Sequence, residues 1–202
     1  MKAPSRWLPV LALLAIAAGA AFAGSDWTAA AWVGASRASG WVAAALLVAA
    51  LAASPFGTGM DPRRVKRWRR ALGISAALAA LVHLAIGLAG PLRDSLATLW
   101  TWPSYRAGTL ATVILTLLLL TSFPSVVRRL RVRVWKPLHR LAYVAGGLVV
   151  LHLLRLPFAP LVGVLVFGAA VGVLLLWRLG EGLRKRRAEA RELNEGAHPA
   201  SR

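Results

Sequence analysis

Three histidines, His83, His139 and His152, stand within long apolar stretches, and any chemistry must be built from them. No Asp or Glu falls inside those stretches and the chain has no cysteine. Carboxylate relays, thiol catalysis, iron–sulfur clusters and covalently attached c-type haem therefore have no residues to rest on. An ionisable group at membrane depth is costly and by default functional. A lone histidine can simply pack, bonded to a neighbouring Ser, Thr or carbonyl, but three on two apolar segments weaken that reading. Imidazoles can ligate a metal ion or a haem iron, and any redox cofactor must be held non-covalently. The only methionines, Met1 and Met60, leave no histidine–methionine pair to consider.

The elements that carry these histidines are membrane helices. Of 202 residues, 58% are apolar and 16% charged, with a mean hydropathy of +0.62, so polar groups are too few to cover a water-soluble globule. The net charge of +18 does not point to nucleic acid, because the basic residues lie in blocks between apolar runs that have no route into a groove. Membrane lipid is the expected surround. Runs approaching the roughly 17–25 residues that a hydrocarbon core of about 30 Å requires fall at 8–23, 39–56, 71–91, 107–123, 138–156 and 160–177. The connections are short and carry helix breakers such as Pro55, Pro91, Pro103, Pro124 and Pro157. The expected fold is an all-α integral membrane protein: a six-helix transmembrane bundle over residues 1–178, followed by a basic tail over 179–202.

Lys and Arg accumulate on cytoplasmic loops. With the N-terminus inside, Lys2 and Arg6, the cluster 63–70, the cluster 128–140, Arg178 and the tail all fall inside, leaving only Arg37, Arg93, Arg106 and Arg155 outside. Both termini are therefore expected in the cytoplasm, in the multi-pass topology of a bacterial inner-membrane protein. The nine Trp lie at expected span ends, as an interfacial belt requires. Lys2, Arg6, the following apolar run and Ala21-Phe22-Ala23 also imitate a cleavable signal peptide, whose removal would leave five spans. We take the first helix as retained.

Depth then decides which histidines can act together. His83 lies 12 residues above Ala71 and His152 lies 14 above Leu138, about 18 and 21 Å along their helices. Two imidazoles at one level on facing helices are what a bis-histidine haem needs. Zinc would need three or four ligands at one depth, and only two are present. His139 lies about 20 Å lower and about 140° around the helix from His152, and the matching level of the neighbouring span holds Arg69, Arg70 and Ala71. One six-coordinate haem is expected, with a second, loosely ligated one at His139 left open; the alternative for His139 is an interfacial residue bonding the headgroup region. Gly146 and Gly147 permit close approach of a helix or of the macrocycle. The basic clusters could pair with propionates or dock an acidic protein, although positive-inside topology explains most of them.

The run Trp135-Lys136-Pro137-Leu138-His139 with Tyr143, then Leu151-His152-Leu153, and on an earlier segment Trp68 to Gly73 leading to Val82-His83-Leu84, resembles the ferric-reductase-like transmembrane family. Ser39-Gly40-Trp41, Ser54-Pro55, Pro103 with Gly108, and Thr121-Ser122 support the resemblance, which covers about 38–178 and is nearest to the haem-binding subunits of methionine sulfoxide reductase systems. It implies a b-type haem ligated by His83 and His152, with His139 linked to a second haem. It also implies electrons from a cytosolic flavin reductase or from quinol, with FMN or quinone as further cofactors. The implied acceptor is a periplasmic molybdopterin methionine sulfoxide reductase. Trp102 stands where the family often has Arg, and the segment 128–135 is about one residue longer than usual.

Only 25 residues follow Trp177, too few for flavin- and nicotinamide-binding domains, so the chain is expected to be a relay subunit and not a complete enzyme. The competing functions are a ferric-reductase-type or quinol-oxidising cytochrome b with another acceptor, and a non-redox transporter or assembly protein. A transporter would be expected to carry broken helices in corresponding halves around a polar midplane site, and neither is evident.

Overall fold

The computed structural model describes residues 28–57, 59–92, 95–129, 132–157 and 159–196. The span expected at 8–23 and the signal-peptide alternative lie outside the described residues. The helices are α1 (Ala29–Ala52), α2 (Pro62–Ala89), the short α3 (Thr98–Thr101), α4 (Pro103–Leu120), the short α5 (Pro124–Arg129), α6 (Val132–Leu154) and α7 (Leu161–Gly196). Five of them, α1, α2, α4, α6 and α7, are long and apolar enough to cross a membrane. The chain is a helical, multi-pass membrane protein.

The starts of α1, α2, α4 and α6 fall earlier than hydropathy alone places them, and caps or prolines set the first three. α1 begins ten residues before Ser39 because nothing between Ala29 and Ala38 breaks a helix, and the Thr28 side chain accepts from the Ala31 amide at 3.2 Å. Ser36 and Arg37, expected outside the span, are thus helical. α2 starts at Pro62, with Asp61 capping the Arg63 amide at 2.9 Å, so the basic cluster 63–70 forms its first turns and is not a loop. α4 starts at Pro103 after a single extended residue, Trp102, and ends at Leu120, before the expected 123. α6 starts at Val132, before the expected 138, and carries Pro137, which gives up only the bond to the Arg133 carbonyl near the helix start.

The expected boundary between bundle and tail at 178/179 is not a structural break. α7 runs 36 residues, about 54 Å by helix rise, against a hydrocarbon core of about 30 Å. Its second half therefore projects as an exposed helix carrying Arg184, Lys185, Arg186, Arg187 and Arg191, and an Arg178–Glu181 ion pair (3.4 Å) lies where it emerges.

α1 packs along α2 and α4 along α6, and contact between α2 and α4 joins the two pairs; α7 lies more lightly against α6 and α1. The centre holds Leu47, Leu51, Ala76, Ala80, Leu115 and Tyr143. Small residues on α2, from Ala71 through Ser75 to Ala80, let neighbouring backbones approach, which is how helices associate where lipid is as apolar as leucine. Large apolar side chains point outward from α4 and α7, among them Val113, Leu117, Val162 and Val166, as lipid contact requires. Trp100 and Trp102 are exposed at the α3–α4 junction in belt fashion. Trp32, in the first turn of α1 against Gly90 at the end of α2, is at a span end as expected, whereas Trp41 lies well within α1 and packs against Gly163.

A paired-histidine cavity as the candidate functional site

α2 and α6 start from the same end of the bundle, the end that carries the basic clusters, and His83 and His152 lie three-quarters or more of the way along each. The structure brings these two imidazoles together. Their ring centroids are 6.4 Å apart with the planes inclined by 70°. Metal–imidazole bonds of about 2.0–2.1 Å, with about 1.1 Å from nitrogen to ring centre, put two rings on opposite sides of one metal at roughly 6.3 Å. The observed spacing fits a single iron held between them.

Each ring is fixed by a helix on its other side. The His83 Nδ1–H donates to the Ser36 carbonyl on α1 at 2.9 Å, and the His152 Nδ1–H donates to the Ser104 carbonyl on α4 at 2.8 Å. A carbonyl can only accept, so the proton is on Nδ1 in both rings and the Nε2 lone pair is the one left to ligate. The Ser39 hydroxyl lies 3.3 Å from His83 Nδ1 and donates to the same Ser36 carbonyl at 3.0 Å.

Glycine provides the room. A Cβ at Gly40 would lie 3.0 Å from His83 Cε1, and one at Gly108 would lie 2.9 Å from His152 Nδ1. The same device therefore occurs twice: a serine carbonyl takes the ring proton, and a glycine four residues later, one turn along the same face, lets the ring lie against the backbone. Ser36, Ser104 and the roles of Gly40 and Gly108 were not legible as site residues. The available signal was the matched Ser-x3-Gly spacing at 36–40 and 104–108.

Both imidazoles line a cavity of about 390 Å³ between α1, α2, α4 and α6, within the usual range for a small-molecule or cofactor site. Its walls are mostly apolar, with Leu47, Leu84, Leu115 and Val149 among them, and besides the histidines Ser36, Arg37, Tyr105, Thr109 and Thr112 are polar. Among the described residues no three His, Cys, Asp or Glu converge as a metal-ion site. A two-imidazole site in apolar walls suits a large planar cofactor with an iron centre better than a bare divalent ion.

His139 is not part of this cavity. It lies 13 residues before His152 on α6, at the basic end, with its ring 4.2 Å from that of Trp135. His139 Nε2 and Trp135 Nε1 are both buried without a hydrogen-bond partner. Nearby, Arg69 donates to the Ser54 hydroxyl at 3.3 Å and Arg70 to the Ser122 carbonyl, tying the start of α2 to the ends of α1 and α4. Gly146 and Gly147 do not line the cavity. Gly146 faces Val171 and Leu51, the helix-packing alternative of the two expected, and Gly147 faces open space.

Comparison with known proteins agrees with this architecture. Residues 39–150 match the family model "Ferric reductase like transmembrane component". The chain is 36% identical over 144 residues to the protein-methionine-sulfoxide reductase heme-binding subunit MsrQ of Deinococcus radiodurans, covering 67% of this chain and 70% of that one. It is 34% identical to the MsrQ subunit of Xanthomonas axonopodis pv. citri (72% and 68% covered) and 33% identical to that of Rhodospirillum rubrum (70% of each). No solved structure matches. The chain belongs to the ferric reductase-like transmembrane component family and, within it, to the MsrQ group.

Proposed function

We propose that the chain is the transmembrane electron-transfer subunit of a methionine sulfoxide repair system, with a b-type haem held between His83 and His152. The observation that carries this reading is the pair of imidazoles 6.4 Å apart, each with its Nδ1 committed to a backbone carbonyl. When bound, the haem supplies a one-electron iron couple at that position. His83 and His152 would both hold the iron through Nε2, which suits the site to passing electrons rather than to binding a substrate. The carbonyls of Ser36 and Ser104 fix the ring planes and raise ligand basicity. The apolar walls keep water from the centre.

The acceptor is a periplasmic molybdopterin methionine sulfoxide reductase, and the donor is a cytosolic flavin reductase or quinol. Reducing one sulfoxide to the thioether takes two electrons and two protons and releases water, so each repair draws two single-electron transfers through this chain. In the topology that the Lys and Arg distribution favours, the histidine pair lies near the periplasmic face of the inner membrane and the basic end meets the cytoplasm. A second group at the basic end, haem, FMN or quinone near His139, shortens the path, and ligation by His139 requires the Trp135 ring to move because Nε2 is sealed.

The test is spectroscopic. Purified protein should give a reduced-minus-oxidised spectrum of low-spin b-type haem, abolished by His83→Ala and by His152→Ala. A full signal in either variant would defeat the assignment.

A further inference from the structure

Arg37 is the one permanently charged side chain among those lining the cavity, and the only charged residue in α1. An arginine within a membrane helix costs about 2.5–3.5 kcal/mol at the helix centre and less toward the ends. Charge bias does not explain its place either, since the other basic residues concentrate at the opposite end of the bundle. It follows Ser36, whose carbonyl holds His83, and lies three residues before Gly40, against which that ring lies.

Charge lies at one end of the cavity only, and Thr112, deeper along α4, has its hydroxyl committed to the Gly108 carbonyl at 3.0 Å. Arg37 is exposed at its mouth, and Tyr105, on the first turn of α4, lies across it with its ring centroid 6.5 Å from that of His152. Leu47, ten residues and about 15 Å further along α1, marks the other end with Ala80 and Leu115, all buried. Such walls accept a flat apolar body that carries anionic groups on one edge.

We propose that Arg37 binds a carboxylate of the cavity's occupant and so sets its orientation, with the Tyr105 hydroxyl as a second donor at the same edge. The proposal rests on the reading of the occupant as haem, whose two propionates would then point to the mouth and whose vinyl-bearing edge would face Leu47. A guanidinium suits this task because it stays charged in the membrane and offers two parallel N–H donors to one carboxylate.

The experiment titrates full-length protein, purified haem-free, with haem and with haem dimethyl ester, in which both carboxylates are blocked, and reads the low-spin absorption band. The unsubstituted protein should prefer haem by about tenfold or more, the scale of a hydrogen bond to a charged group. Arg37→Gln should lose most of that preference, keeping at most the share that the Tyr105 hydroxyl supplies, and Arg37→Lys should restore part of it. An Arg37→Gln protein that discriminates as strongly as the unsubstituted one overturns the proposal, and so does an unsubstituted protein that binds both alike, even where a variant folds poorly. An unsubstituted protein that binds neither compound defeats the haem reading itself, an outcome distinct from loss of orientation alone.

Discussion

His152 and His139 share one helix and lie thirteen residues apart, and each bonds a backbone group at one end of α4, Ser104 for His152 and Thr121 for His139, yet the space in front of the two rings differs. His152 has its Nδ1 proton on the Ser104 carbonyl, Gly108 beneath its ring, a cavity in front of it and a second imidazole at 6.4 Å. His139 has an indole ring at 4.2 Å and a buried Nε2 with no partner. Residue type is therefore not what distinguishes a site in this bundle. A neighbouring helix must supply a proton acceptor on one side of the ring and empty space on the other. At the basic end Arg69 and Arg70 bridge helix ends through Ser54 and Ser122, and Trp135 lies against the His139 ring.

The largest expected effect separates the two ends outright. His83→Ala and His152→Ala should each remove the haem spectrum, whereas His139→Ala should leave most of it; the reverse pattern, with haem lost only in His139→Ala, would break the comparison. The second effect probes the glycine seats. Gly40→Ala and Gly108→Ala force a Cβ to about 3 Å from a ring, a crowding of about 1–3 kcal/mol that corresponds to roughly fivefold to a hundredfold weaker haem binding. Gly147→Ala, which meets open space, should bind haem normally, and equal losses in all three would remove the seats' special standing.

Sidedness gives a smaller and conditional signal. In sealed vesicles a flavin reductase with its nicotinamide donor should reduce the haem only from the face carrying the basic end, faster at low salt than at high, since exposed charges steer docking within a screening length of about 10 Å at 0.1 M. Equal rates from both faces would sink the directional reading while leaving the haem untouched. The smallest effect belongs to the projecting half of α7. Replacing Arg184, Lys185, Arg186 and Arg187 by Gln should slow that reduction a few-fold and flatten its salt dependence, with the absorption spectrum unchanged, because these side chains are exposed and remote from the cavity.

The helical membrane character, the apolar runs behind the five described spans and the common level of His83 and His152 were legible from sequence, because hydropathy and a fixed rise of 1.5 Å per residue are properties of the chain taken one segment at a time. Helix starts were less legible. Thr28, Asp61, Pro62 and Pro103 place them, and a polar cap or an arginine-rich first turn lowers hydropathy without ending a helix. Gly146 and Gly147 drew attention for lacking side chains, whereas Gly40 and Gly108 take up the rings, and only packing distinguishes one glycine from another.

What the sequence determined by itself is thus the solvent the protein lives in, the number and type of residues that could ligate, and their height along each helix. The tertiary structure decided which faces meet. The rotation of α1 about α2 and of α4 about α6 sets whether the Ser36 and Ser104 carbonyls reach an imidazole, and that rotation results from side-chain packing between helices far apart in sequence. The same packing left Arg37 at the mouth of the cavity, whereas the Trp135–His139 contact is an i, i+4 pair that the periodicity of α6 already encodes.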